Sequence, residues 1–330
     1  MEKYTLNCFK NFKCTSSACS DNCCIGWEIG IDNKTLDFYK DVKDEKVKNN
    51  IDFENSSIIM KKDGRCPFLN ENNLCDIILK YGEENISYIC THHPRFYNDF
   101  GDFTEFGYGL CCEEACRLLF TGDVLCETKN VKDEPLFLLR EKLFLIINDK
   151  KLDLKEKIYS FLDFICEADE VLFLNEDLEE FIKNYKPEIE LKEKNSIEPI
   201  LKILKNTEPI DNNWTDYIDK VILKKEDIEK NINKVSDNEK YIKLFYYYIF
   251  RYFLKESEYD IIERGKFIVF LVLSNIIFDV YSYLLNENDY LRNSVILSKQ
   301  LEYSEDNIDY ILSECLENQD LDFEKITSYI

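Results

Sequence analysis

The chain has 330 residues, 45% of them hydrophobic, including 23 Phe and 21 Tyr, which is enough to bury a core and excludes wholesale disorder. Only 9 Gly and 6 Pro are present, so much helix and few tight turns are expected. A net charge of −23 argues against nucleic acid as a partner, because phosphate contacts need Lys and Arg.

The opening stretch, MEKYTLNCFKNFKC, has no apolar run of the kind a secretory leader needs, and a cytoplasmic protein is expected. In CIGWEIGIDNKT (24–35) the alternation around Trp27, Ile29 and Ile31 reads as a short strand. DNKTLDFYKDVKDEKVKNN follows as a helix capped by Asp32 or Asn33. Turns are expected at Asp63–Gly64 and at Asn72–Asn73, with a short helix from Asp76. Residues 87–112 read as loop, and a helix is expected near Glu113–Phe120.

After residue 130 the texture changes. Pro135 marks a helix start, and LDLKEKIYSFLDFICEADEVL continues in helical spacing. A charged stretch from about 184 to 215 reads as a linker or short helices. Two strong buried helices are expected at 238–256 and 264–287. The second contains FIVFLVLSNIIFDVYSYLL, whose Asn275 and Asp279 mark it as a core helix and not a membrane span, so no membrane is expected as a partner. Two more helices complete the tail. The expected fold is mainly α: a loop-rich, Cys-rich metal-binding domain over residues 1–130, packed on an α-helical domain over 131–330.

Fourteen cysteines are present, and twelve precede residue 127. In a reducing compartment such density points to metal or redox chemistry, not disulfides. Cys14, Cys19, Cys23 and Cys24 follow the spacing C-x4-C-x3-C-C, and Cys66, Cys75, Cys90, Cys111, Cys112 and Cys116 come later. Thiolates on irregular backbone can converge on zinc or on an iron–sulfur cluster, and the number of clustered thiols favours iron–sulfur. Cys8, Cys126, Cys166 and Cys315 read as small buried hydrophobes. His92 and His93, the two histidines, follow Cys90 closely; ligand, base and bystander remain open. Arg95 is a possible carboxylate partner, and Glu113–Glu114 reads as an acidic first helical turn. No GxGxxG, P-loop or GxSxG is present, so catalytic and cofactor-binding residues stay unassigned.

The segments FKCTSSACSDNCCIGWEIGIDNKT, GRCPFLNENNLCDIILKYGEENISYIC, HPRF and LCCEEACRLLF occur in that order within residues 4–120. This arrangement closely resembles the flagellin lysine N-methylases (the FliB family), which belong with the wider group of zinc- or iron-chelating Cys-rich proteins. The resemblance implies methyl transfer from S-adenosylmethionine to lysine ε-amines of flagellin or another lysine-bearing protein. It also implies a 4Fe–4S cluster, with zinc as the alternative. The matching thiols are Cys14, Cys19, Cys23, Cys24, Cys66, Cys75, Cys90 and Cys112, whereas Cys8, Cys111 and Cys116 look like extras. Eight exceed what one cluster needs, so a second centre remains open. A different class of reading is a non-enzymatic zinc or iron–sulfur module for binding or electron transfer.

Overall fold

A computed structural model describes residues 2–20, 22–126, 134–210, 213–235, 239–255, 260–287 and 289–330. The expected boundary at residue 130 lies outside these.

Two cores organise the first 126 residues. The smaller gathers Ile29, Leu36, Tyr39, Val47, Phe68 and Ile77, with Cys66 buried among them. Around it stand α1 (Asn33–Asp41), α2 (Glu45–Asn49), the short pair β2 (Ile51–Asp52) and β3 (Ser57–Ile58), α3 (Asp76–Tyr81) and α4 (Tyr88–His92). Asp32 caps α1 by accepting from the Thr35 amide, as its sequence position suggested. The expected strand around Trp27 does not form. Ile25 and Gly30 make single bridges, to Arg65 and Ser57, and no neighbouring residues extend either ladder.

The expected loop at 87–112 is also corrected. It folds as α4 followed by a hairpin, β4 (Arg95–Asp99) and β5 (Phe103–Tyr108). The N-terminal strand β1 (Glu2–Tyr4) pairs with β5 in parallel, giving the order β1-β5-β4. This sheet and α5 (Glu113–Thr121) belong to the larger core, to which Phe9, Tyr108, Leu110 and Leu119 contribute.

The rest is helical: α6 (Pro135–Ile147), α7 (Leu154–Leu174), α8 (Leu178–Asn184), α9 (Glu198–Asn206), α10 (Trp214–Leu223), α11 (Lys225–Asn231), α12 (Glu239–Tyr248), α13 (Ile261–Leu284), α14 (Tyr290–Glu302), α15 (Glu305–Glu317) and α16 (Phe323–Ile326). The fold is mainly α. Asp153 and Glu156 close a reciprocal cap on α7. The charged 184–215 stretch resolves into α9 between irregular segments. A wider π turn, Ile249–Phe253, continues α12.

Helix α13 is long and apolar enough to cross a membrane, yet 89% of its most apolar window is buried inside the protein. It packs against α7, α12, α14 and α15. Its buried Asp279 and Asn275 are answered by neighbours. Asp279 takes Lys240 at 2.7 Å, Tyr241 at 2.8 Å and Asn293 at 2.9 Å. Asn275 accepts from Ser294 at 2.6 Å. Such satisfaction is what lets a core helix carry polar groups.

Between sheet and bundle, Arg140 of α6 grips Glu105 of β5 through two bonds of 2.6 and 2.7 Å. Both side chains are fully buried. The rings of Phe137, Phe144 and Phe250 surround the guanidinium.

Candidate metal centre

Four of the eight matching thiols meet at the small core. The backbone carries them there in steps. Gly26 and Gly64 both take positive φ, +92° and +74°, a conformation glycine adopts without strain, and the Gly26 amide donates to the Gly64 carbonyl at 2.9 Å. Two residues on, the Cys66 amide donates to the Cys24 carbonyl at 2.9 Å. The turn at 70–74 then folds back so that Cys75 bridges Leu69 and caps the start of α3. Its geometry rests on Asn70, which accepts from the Asn72 and Leu74 amides, and on Asn73 at φ 56°. Ser87 caps α4 through the Cys90 amide. Cys24, Cys75 and Cys90 are half-buried against the core that holds Cys66.

The sulfurs feel one another. Burial, then the charges of Cys66, Cys75 and Cys23, push the Cys90 thiol up to about 11, against a hydrogen bond from Ser87. A hydrogen bond with Cys23, burial, and the charges of Cys66 and Cys90 push Cys24 up as well. Burial and Cys75 do the same to Cys66. Each of these shifts favours the neutral thiol. A bound cation would reverse that, because it supplies the charge a thiolate needs in a dry site.

Cys14, Cys19 and Cys112 form a second neighbourhood. Cys112 stands at the N-cap of α5, where the Glu114 and Ala115 amides favour its thiolate. Burial outweighs them, and with the charges of Cys19 and Cys14 the thiol rises to about 11. Glu113, read from sequence as only part of an acidic turn, reaches across to this group. It accepts from the Ser20 amide and hydroxyl at 2.9 and 2.8 Å, and the Cys19 sulfur lies 3.6 Å away. Cys111 and Cys116 are buried, Cys116 donating to the Leu110 carbonyl at 3.1 Å.

Among the described residues no three His, Cys, Asp or Glu side chains stand arranged to hold a metal ion. The two groups are therefore neighbourhoods of donors. In donor chemistry they suit zinc or iron–sulfur: several soft sulfurs, carried on loops and helix starts, most of them half-buried.

The two histidines part company. His92 stacks on Tyr88 with ring centres 3.7 Å apart and is half-buried. His93, before a cis peptide to Pro94, turns inward between Trp27 and Tyr303, with Nε2 3.9 Å from the Cys111 sulfur. Burial, then Lys299 and Arg95, bring its pKa down to about 4. Arg95 does not take up a carboxylate; it donates to the Thr91 carbonyl at 2.8 Å and lies over the Tyr108 ring.

Sequence reasoning missed Tyr303. Its hydroxyl donates to the Pro94 carbonyl at 3.2 Å, and any side chain at Gly109 would collide with it. It docks α14 onto the His–Pro turn from about 200 residues away, a contact no local pattern signals.

Lysine-N-methylases of Salmonella choleraesuis and Salmonella typhimurium are each 26% identical to the chain, over 183 and 182 residues. Each match takes in 48% of this chain and 45% of the relative. The flagellar biosynthetic protein FliU of Salmonella muenchen is 30% identical over 129 residues, 35% of this chain and 75% of FliU. The chain belongs to the flagellin lysine N-methylase family. It spans a little under half the length of the family's two lysine-N-methylases matched above. No family model and no solved structure matches it.

Proposed function

We propose that the chain is a cytoplasmic, S-adenosylmethionine-dependent protein-lysine N-methyltransferase that acts on flagellin and carries an iron–sulfur centre. The observation that carries the reading is family membership, through relatives named for lysine N-methylation and flagellar biosynthesis. The thiol neighbourhoods support its metal part. Cys24, Cys66, Cys75 and Cys90 would hold a cluster, with Cys23 beside them; Cys14, Cys19 and Cys112 would serve a second centre or exchange with the first. Were only three of those four thiols to hold the cluster, the remaining iron would be free to take the amino and carboxylate groups of S-adenosylmethionine, a role the absent glycine-rich nucleotide loop leaves unfilled.

Methyl transfer to lysine is a polar displacement. A neutral amine attacks the sulfonium methyl in line, and the protein must align the two and exclude water. The chain's part is to bind, orient and keep dry.

The test is made on anaerobically purified protein, with Cys24→Ser and Cys166→Ser beside it. Wild type should contain iron and acid-labile sulfide and bind S-adenosylmethionine by calorimetry. C24S should lose most of its iron, because Ser is a hard and poorly ionised substitute. C166S, in the middle of α7, should keep it. Protein without iron and sulfide, or equal iron loss in both variants, contradicts the centre. Cluster-loaded protein that does not bind S-adenosylmethionine contradicts the enzyme.

A further inference from the structure

Tyr39 stands on α1, in the small core that holds Cys66 and against which Cys24, Cys75 and Cys90 pack. It is 2% exposed. Among the described residues nothing hydrogen-bonds to its hydroxyl, whereas the phenol of Tyr81, beside the same core, donates to Asp44 at 2.9 Å. A buried phenol ordinarily has a partner, because leaving its hydroxyl unmet in a dry site is costly.

We propose that the Tyr39 hydroxyl donates a hydrogen bond to a sulfur of the centre held at Cys24, Cys66, Cys75 and Cys90, and so sets how readily that centre is reduced. That the occupant is an iron–sulfur cluster rests on the function proposed above; the placement of Tyr39 does not.

The chain fixes α1 against the two helices whose starts carry the later thiols. At the N-terminal end of α1, Asp32 accepts from the Tyr88 amide at 2.7 Å, and the Thr35 hydroxyl donates to the Ile86 carbonyl at 3.3 Å. Both partners lie just ahead of Cys90, around the start of α4. Thr35 and Tyr39 are four apart and share a face of the helix, so the contact that ties Thr35 to this run turns Tyr39 the same way. Further along, the ring of Phe38 meets that of Tyr81 edge-on at 5.7 Å, and Tyr81 closes the helix that begins after Cys75.

The electrostatics agree with that placement. Burial, then Cys90, Cys75 and Cys66, push the Tyr39 phenol up, and Asp32 adds less. Those three thiols come from three separate segments, so the hydroxyl stands near where they converge. The polarity of the bond is fixed by chemistry: the phenol keeps its proton at neutral pH, and a metal-bound thiolate or a sulfide only accepts. Reduction adds negative charge to a cluster, so a donor aimed at its sulfur stabilises the reduced form more than the oxidised one. Hydrogen bonds to the sulfurs are among the levers that set such potentials.

A reductive titration of the anaerobically purified full chain, followed by electron paramagnetic resonance, tests the assignment. Tyr39→Phe keeps the packed ring and removes the hydroxyl. It should retain iron and sulfide, and its reduction equilibrium should shift roughly tenfold toward the oxidised form, a midpoint about 59 mV lower for a one-electron couple. Tyr81→Phe, whose hydroxyl belongs to Asp44, should leave the midpoint in place. If Y39F does not fold or load, Tyr39→3-fluorotyrosine keeps the shape and is a stronger donor, and its midpoint should rise. With cluster-loaded wild type in hand, an unmoved midpoint in Y39F, or in the fluorotyrosine protein where Y39F is lost, overturns the proposal alone. An equal shift in Y81F overturns it too, because the midpoint then reports general loosening of the core. Wild type that purifies with zinc and no sulfide contradicts the iron–sulfur reading, and with no reduction to tune this proposal falls with it.

Discussion

His93 illustrates how much a neighbour decides. Two adjacent, chemically identical side chains end against different neighbours, His92 stacked on Tyr88 and His93 between Trp27 and Tyr303. Desolvation disfavours the imidazolium, and the cations of Lys299 and Arg95 add to it. The folded value of about 4 lies below the ordinary 6.5, so the unfolded chain binds the proton first. The stability that His93 contributes is therefore complete above about pH 6.5 and is lost as pH falls through about 4. The His93 imidazole signals in a pH titration by NMR should shift only near pH 4. A His93 midpoint near 6.5 would mean that the ring is solvated. The sequence placed both residues beside Cys90 and left ligand, base and bystander open. What separates them is the arrival of Trp27 and Tyr303, which are distant in sequence. The same holds for the thiols: that the cysteines cluster is legible in the spacing, whereas their division into two neighbourhoods depends on the long-range joining of Cys24 to Cys66 and of Cys19 to Glu113.

At the scale of elements, the join between β5 and α6 is the most exposed to test. Arg140 and Glu105 are fully buried and bidentate, so each neutralises a charge that could not otherwise stay there. Arg140→Met alone should destabilise by about 3–5 kcal/mol, because it strands a buried carboxylate. Adding Glu105→Leu should recover much of the loss. Urea denaturation of the two variants measures both; an R140M variant as stable as wild type would mean that water reaches Glu105. The helices around this join were legible in local signals: Asp32 before α1, Pro135 at the start of α6, and apolar spacing through α7 and α13. The hairpin was not. Strand β5 is buried on both faces along most of its length, so it lacks the alternation that marks a half-buried strand. Its other partner, β1, comes about 100 residues earlier. The Trp27 segment failed the other way: it alternates, yet nothing long enough lies beside it to make a ladder.

For the whole molecule, charge and chemistry belong to different parts. Residues 1–126 carry both thiol neighbourhoods, and the helical part carries most of the acidity. Under the proposed function a partner rich in exposed lysine would be drawn to the helical part, and that attraction should weaken as salt shortens the screening length. The account's central claim is lysine methylation of flagellin. Its most direct test is intact-mass and peptide mass spectrometry of flagellin after incubation with anaerobically purified, cluster-loaded protein and S-adenosylmethionine. The predicted result is a ladder of single-methyl mass increments confined to lysines, absent without the cofactor. Flagellin of unchanged mass, with protein that is folded and cluster-loaded, would contradict the account.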